Sequence, residues 1–449
     1  MQASIIRNVA KGFSANAYGQ LINVFAQLCG VPILLHCWGG RLFGEWLILS
    51  AIPVYLSMSD LGFAQSAGND MTQRAARGDF KGALAEFQSI GSLIVLCSIC
   101  GLFAVTILLS VTSLTELLPL QMLSDKEAAW VIGLLAAEVM VALNEGTLHA
   151  GFRAAGGYAL HTAIDSTTRL IQHALLWATA AAGGGPVAAA CAFLGVRSVT
   201  TPLTALLLVR KYNWITIGVS HARWNDLRRL FGPAVANLAL PMAQSLNVQG
   251  MRLAVGYVLG PIAVVIFTTL RMLTRLILQA TAAVGHAFEP EMAAAYGSGD
   301  AELLGKLYVR TTQLGTILAI VLAGVLFWQG GRILEVWTSG NVAMDNVLFG
   351  WLVCSAVVST FWSSSLIALK AANRHMGAAI CFMVAAGMAV AIACGMLAIT
   401  RRLADAGLVL LLMDLSMAAY VVPAACRLSG RGWQPIIKQM LNPFRWGLS

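Results

Sequence analysis

The sequence predicts an all-α polytopic membrane protein: about twelve transmembrane helices in two six-helix lobes related by a parallel pseudo-repeat. Three observations carry this. Of 449 residues, 58% are hydrophobic and 11% charged, with a mean hydropathy of +0.75. A soluble chain carries about 25% charged residues, and no soluble core hides this much apolar surface. The apolar runs are continuous over about 20 residues, the length of a membrane-crossing helix, and lack the alternation of a barrel strand. Finally, the second half echoes the first. The same composition excludes a long disordered region.

Apolar runs bounded by charge, glycine or proline place the spans in order. The first two, about 13–37 and 45–65, flank a short turn at Gly39, and the second contains Asp60. The third (84–111) follows Lys81, and the fourth (128–150) lies between Lys126 and Arg153. The fifth (159–182) and sixth (186–209) are separated only by Gly183-Gly184-Gly185-Pro186, a tight turn. The longest loop, about 210–230, leads to the seventh (231–259), and Gly260 marks the turn to the eighth (262–288). The ninth to twelfth are 307–328, 347–369, 377–399 and 406–426. The lobes are then residues 1–215 and 216–449, the second with a terminal tail.

An even number of spans puts both termini on one side. That side holds Arg7 and Lys11; Arg74, Arg77 and Lys81; Arg153; Arg210, Lys211, Arg223, Arg228 and Arg229; Lys306 and Arg310; Lys370 and Arg374; and Arg427, Arg431, Lys438 and Arg445. The other side holds only Arg41, Lys126, Arg332, Arg401 and Arg402. By the positive-inside rule the termini are expected to be cytoplasmic. The net charge of +9 is thus a topology signal, and nucleic acid is not an expected partner. Trp38, Trp46, Trp328 and Trp337 near outer edges, and Trp214, Trp224 and Trp433 near inner ones, read as aromatic belts. Met1 to Gly12 lacks an apolar core with a small-residue cleavage site, so the first helix is expected to stay in the membrane.

Cys97-Ser-Ile-Cys100 has the CxxC spacing but sits inside an apolar run with no second pair, which favours packing over redox or metal chemistry. Asn69-Asp70-Met71 followed by Gly78-Asp79 lines up with Pro290-Glu291-Met292 followed by Gly299-Asp300, and Gly39 with Gly260, at one offset of about 221 residues. Six spans per half give the repeats one orientation. Parallel repeats of this kind relate by an axis along the membrane normal, with the substrate path expected at their interface.

The stretches Ala15-Asn16-Ala17-Tyr18-Gly19-Gln20 through Val31-Pro32, Phe43-Gly44-Glu45-Trp46 and Ser59-Asp60-Leu61-Gly62 resemble the N-terminus of O-antigen (Wzx-type) polysaccharide flippases. These belong to the multidrug/oligosaccharidyl-lipid/polysaccharide (MOP) exporter superfamily, whose fold is MATE-like. The resemblance implies transport of an undecaprenyl-pyrophosphate-linked oligosaccharide from the cytoplasmic to the periplasmic leaflet, in lipopolysaccharide or other surface polysaccharide biosynthesis. It also implies a polysaccharide polymerase and a chain-length regulator as partners, besides the membrane lipids.

Charges inside spans need a partner or a wet cavity, since each costs about 2.5–3.5 kcal/mol at the helix centre. The first half has Asp60, Glu138, Glu145, Asp165, Arg169 and Arg197; the second has Arg252, Arg271, Arg275 and Asp414. Asp165 and Arg169, four apart, suit an ion pair, with Glu138 at similar depth about one turn from Arg169. This first-half set reads as lobe-stabilising pairs or as a proton or cation coupling site. Glu145 and His149 also share a face, but two ligands without a third do not make a metal site. His36, His161, His173 and His286 lie in or at the edges of spans, and a lone helical histidine is more often packed than titrating. Pro32, Pro202, Pro233 and Pro241 mark candidate kinks.

In the second half, Arg271 and Arg275 share one face and Arg252 lies at the same depth, with Asp414 able to neutralise only one. Stacked like charges destabilise a helix, so they are expected to line a cationic cavity that binds an anion, such as a pyrophosphate. Snorkelling or unseen acids are the alternative. No catalytic nucleophile, metal site or cofactor motif is apparent, and there is no Walker A pattern. A multidrug exporter would prefer an acidic, aromatic cavity. A lipid II flippase would share the pyrophosphate. A membrane glycan polymerase or ligase would need a sizeable outer loop, which this chain lacks.

Overall fold

The computed structural model describes residues 2–372 and 374–429. Arg431, Trp433, Lys438 and Arg445 of the expected tail lie outside the described residues.

The first helix, α1 (Gln2–Val54), is continuous except at Gly39, whose φ of 70° and ψ of 169° break the helical path. A side chain there would be strained. Helix α1 then gives way to a 3-10 turn (Tyr55–Met58) and a break through Leu61 and Gly62, both with positive φ, before α2 (Phe63–Ala76) begins. The expected second span, 45–65, therefore stops short. Pro53 withholds an N–H from the last turn of α1, and Gly62 takes the left-handed conformation that the break requires. Asp60 belongs to this break rather than to a helix interior, and its carboxylate accepts the Gly62 N–H at 3.1 Å.

Helix α3 (Phe80–Val111) leads to a short α4 (Leu114–Leu117) and then to α5 (Asp125–Ala154). Ser124 and Glu127 form a capping box that supplies the first orphan N–H groups of α5 with acceptors. Helices α6 (Tyr158–Ala181) and α7 (Pro186–Lys211) join through the glycine turn, where Trp38 Nε1 donates to the Gly184 carbonyl at 2.8 Å. The loop after α7 is pinned to α3: Gln88 donates to Thr216 O and accepts from His221 N, and Ser89 accepts from Arg223 N. The seventh expected span is α8 (Trp224–Ser245), a π-helical turn (Leu246–Gly250) and α9 (Met251–Leu259). Helices α10 (Pro261–Gly297), α11 (Ala301–Thr338), α12 (Asn346–Ala371), α13 (Met376–Thr400) and α14 (Ala404–Cys426) complete the described chain.

Among the described residues, nine helical stretches are long and apolar enough to cross a membrane. The difference from twelve has local causes. The first two expected spans form one stretch, Ser14–Met58, across the Gly39 kink. The fifth, α6, carries His161, Asp165, Arg169, Gln172 and His173 and is too polar, and the seventh is divided by its π turn.

The repeat is visible in the backbone. Gly260, before α10, has φ 86° and ψ −179°, matching Gly39. Gly78 (φ 80°) and Gly299 (φ 76°) take the same left-handed turn. Asp79 and Asp300 then each cap the next helix, accepting from Gly82 N and Leu303 N at 2.9 Å. These residue types recur because a left-handed turn favours glycine and a helix start favours an acceptor side chain.

The chain divides into two units, residues 1–241 and 242–449. The expected division at 215/216 moves because most of α8 packs with the first unit. Arg229 pairs with Asp70 at 2.6 Å, Asn237 donates to Ser66 Oγ at 2.9 Å, and the Phe63 and Phe231 rings lie 6.3 Å apart. The first unit's core includes Phe87, Ile90, Met140, Phe152 and Leu208. In the second, Phe267, Leu270 and Tyr308 are fully buried, and Tyr308 meets Ser365 Oγ at 2.7 Å.

Candidate functional site

The charges inside the first unit's helices pair with one another. Arg197 on α7 is the hub: its Nε lies 3.3 Å from Glu138 on α5, and its Nη1 lies 3.2 Å from Asp165 on α6. Asp165 also takes both Nε and Nη2 of Arg169 on its own helix. Gln172 Nε2 donates to Glu138 at 2.9 Å. Two acids and two bases thus close a neutral cluster. The expected proximity of Glu138 to Arg169 is replaced by the Glu138–Arg197 pair, because α7 rather than α6 supplies the nearest cation.

Glu145 belongs to a second group. It accepts from Thr201 Oγ1 at 2.8 Å and meets His161 Nε2 at 3.2 Å, while His161 Nδ1 faces His149 Nδ1 at 3.0 Å. His149 and Glu145 are therefore joined through His161. Among the described residues no group of three or more His, Cys, Asp or Glu has metal-site geometry, and none of the nine cysteines is joined in a disulfide.

Two charged features escaped sequence reasoning. Glu45 is fully buried, and its carboxylate accepts three consecutive backbone N–H groups, from Gln121 (2.6 Å), Met122 (2.7 Å) and Leu123 (3.0 Å). Nothing in the sequence links it to a loop some 76 residues away. The second is a knot of Asp70, Arg74, Asp79, Glu86 and Arg229. Burial opposes ionisation of Asp70, but hydrogen bonds with Glu86, Arg74 and Arg229 prevail and hold its carboxyl well below the usual carboxylate range. The i,i+4 spacing of Asp70 and Arg74 was the available signal.

The second unit is organised differently. Arg271 and Arg275 lie one turn apart on α10, a spacing at which like charges repel, and Arg252 lies on α9 of the same unit. None of them forms an ion pair among the described residues, and Arg252 and Arg275 make no hydrogen bond there. Arg275 is exposed, and Arg252 and Arg271 are half-buried. Arg271 alone is anchored: Nη1 donates to the Asn247 carbonyl at 2.8 Å and Nη2 to Asn247 Oδ1 at 2.5 Å. Its guanidinium lies 5.6 Å from the centre of the Phe267 ring. Asp414, on α14, forms no ion pair with any of the three arginines among the described residues. Its own carboxylate is buried and taken up by Ser355, Ser359 and Trp362 Nε1.

A cluster of donor-only cations within one helical unit, in a chain whose other unit pairs its helical charges, can be compared with known architectures. An inward-facing multidrug-resistance MATE family transporter of the MOP superfamily aligns with TM-score 0.68 and 14% identity, over 91% of this chain and 98% of that one. The MATE multidrug transporter DinF-BH aligns at 0.66 and 12% identity, over 94% of this chain and 95% of that one. The fold is that of the MATE transporters. An outward-facing MATE structure aligns at 0.58 and 15% identity, covering 95% of both chains. No family profile matches the chain, and no curated protein matches it in sequence.

Proposed function

We propose that this MATE-fold protein is a flippase that moves an undecaprenyl-pyrophosphate-linked oligosaccharide from the cytoplasmic to the periplasmic leaflet of a bacterial inner membrane. The observation that carries the reading is the placing of Arg271 and Arg275 one turn apart on α10, with Arg252 on α9 just before it, none of them in an ion pair among the described residues. Guanidinium groups match phosphate oxygens with pairs of parallel donors, and a pyrophosphate supplies the missing negative charge. The paired cluster of the first unit then serves as a stabilising frame. Flipping breaks no covalent bond, so no nucleophile or cofactor is required. An ion gradient, the membrane potential or use of the product outside by a polymerase and chain-length regulator would drive it.

A multidrug exporter is the second reading, favoured by the multidrug transporters that share the fold. A cationic drug would meet three arginines and, among the described residues, no acid paired with them in the second-unit site. A lipid II flippase would use the same arginines, so the glycan separates these two cargoes. The test is deletion of the gene, followed by analysis of lipid-linked repeat units. The flippase reading expects them to accumulate on the cytoplasmic leaflet. Unchanged lipid-linked intermediates with increased drug sensitivity would favour the exporter.

A further inference from the structure

The one arginine of the triad that is held in place owes this to a local irregularity. Leu246–Gly250 is a π turn between α8 and α9. Such turns widen the backbone ladder and recur at functional sites. Within it, Asn247 presents both its main-chain carbonyl and its side-chain oxygen to Arg271, at 2.8 and 2.5 Å. The guanidinium is therefore gripped at both terminal nitrogens, while Arg252 and Arg275 have only rotatable stems.

Chemistry fixes which way the Asn247 amide faces. Arginine only donates hydrogen bonds, so the atom turned toward it must be Oδ1, and the NH2 group is turned away. No other group among the described residues takes up those two amide hydrogens. Of the five guanidinium N–H groups of Arg271, two are spent on Asn247. What Arg271 presents beyond Asn247 is a set of donors with no acceptor of its own. That pattern suits a ligand rich in negatively charged oxygens and short of donors, and disfavours a sugar hydroxyl, which needs both.

We infer that Asn247 is a positioning residue for the anion site: it locks the Arg271 fork, so that the remaining N–H groups of Arg271 face a phosphate-type group. This rests on the anion-binding reading above. It separates Asn247 from a residue that merely stabilises the π turn, because its effect must pass through Arg271.

The test uses the full chain in detergent and inorganic pyrophosphate as the probe, with affinity measured by calorimetric titration. Asn247→Ala should weaken binding by about 10–100-fold, the effect of losing hydrogen bonds to a charged group. Asn247→Asp should abolish it, since the new carboxylate occupies Arg271 and repels the anion. In an Arg271→Lys background, which lacks the planar fork, Asn247→Ala should cost less than about twofold, the non-additivity expected of residues that act together. Equal losses in both backgrounds, or unchanged affinity in Asn247→Ala and Asn247→Asp where Arg271→Ala abolishes binding, would overturn the role of Asn247 alone. Absence of pyrophosphate binding in the wild type, or its persistence in Arg271→Ala, would overturn the anion-binding reading as well.

Discussion

Replacing Arg197 with methionine isolates the energetic role of the first unit's charged cluster. Methionine fills much of the arginine volume, so the change removes charge rather than opening a cavity. Arg197 is 9% exposed, and its partners Glu138 and Asp165 are 12% and 20% exposed. Removing one member of such a buried pair costs about 3–5 kcal/mol, and the lower end applies because Asp165 keeps Arg169. A loss near 3 kcal/mol lowers the folded-to-unfolded ratio about a hundredfold, enough to deplete membrane-inserted protein. Charge accounting predicts which second change repairs the damage. Glu138→Gln removes the stranded carboxylate, keeps the contact with Gln172 and leaves Asp165 paired with Arg169. Asp165→Asn leaves Glu138 unpaired and Arg169 without its acid. Thermal unfolding of solubilised protein, followed by size-exclusion fluorescence, should therefore rank Arg197→Met/Glu138→Gln above Arg197→Met/Asp165→Asn, with the single variant below the first pair. Better rescue by Asp165→Asn, or a wild-type midpoint for Arg197→Met, would refute the hub assignment.

Glu45→Gln should lower the unfolding midpoint, because an amide cannot accept all three N–H groups as a charged carboxylate does. About 1–3 kcal/mol is expected, with faster labelling of a cysteine placed at 120. Gly62→Ala should be strongly destabilising in the same assay: its φ is +76°, and a Cβ would meet the Ala234 carbonyl oxygen well inside van der Waals contact. Asp70 sets a pH dependence. Its folded pKa is depressed, so its contribution is present above the unfolded carboxylate pKa and is lost as pH falls through the folded one. Asp70→Asn should accordingly flatten the acid limb of the stability–pH curve, and an unchanged limb would contradict the assignment.

The helical fold is legible because membrane helices announce themselves through composition, and the repeat because its markers are backbone requirements. Gly39 and Gly260 break a helical path, and Gly78-Asp79 and Gly299-Asp300 make a turn and a cap. Pairings between helices are less so. Spacing along one helix finds Asp165 with Arg169, but the choice of Arg197 as partner of Glu138 depends on how α5 and α7 meet. Hydropathy alone puts Asp60 inside a span, since a 3-10 turn and a left-handed break have no hydropathy signature. The π turn is equally silent in the sequence, so nothing along the chain marks Asn247 as the partner of Arg271.

The central claim is that the second unit's arginines hold a phosphate-type anion during transport, and a substitution series at Arg271 and Arg275 tests it most directly. Surface polysaccharide should be quantified in a deletion strain carrying each variant, at matched levels of membrane-inserted protein. Alanine at either position should abolish export, while insertion is eased by about 2.5–3.5 kcal/mol for each charge removed from a helix centre. Lysine should restore it only in part, because it keeps the charge but loses the planar fork, and glutamate should be worse than alanine. Full export by Arg271→Ala/Arg275→Ala would contradict the claim.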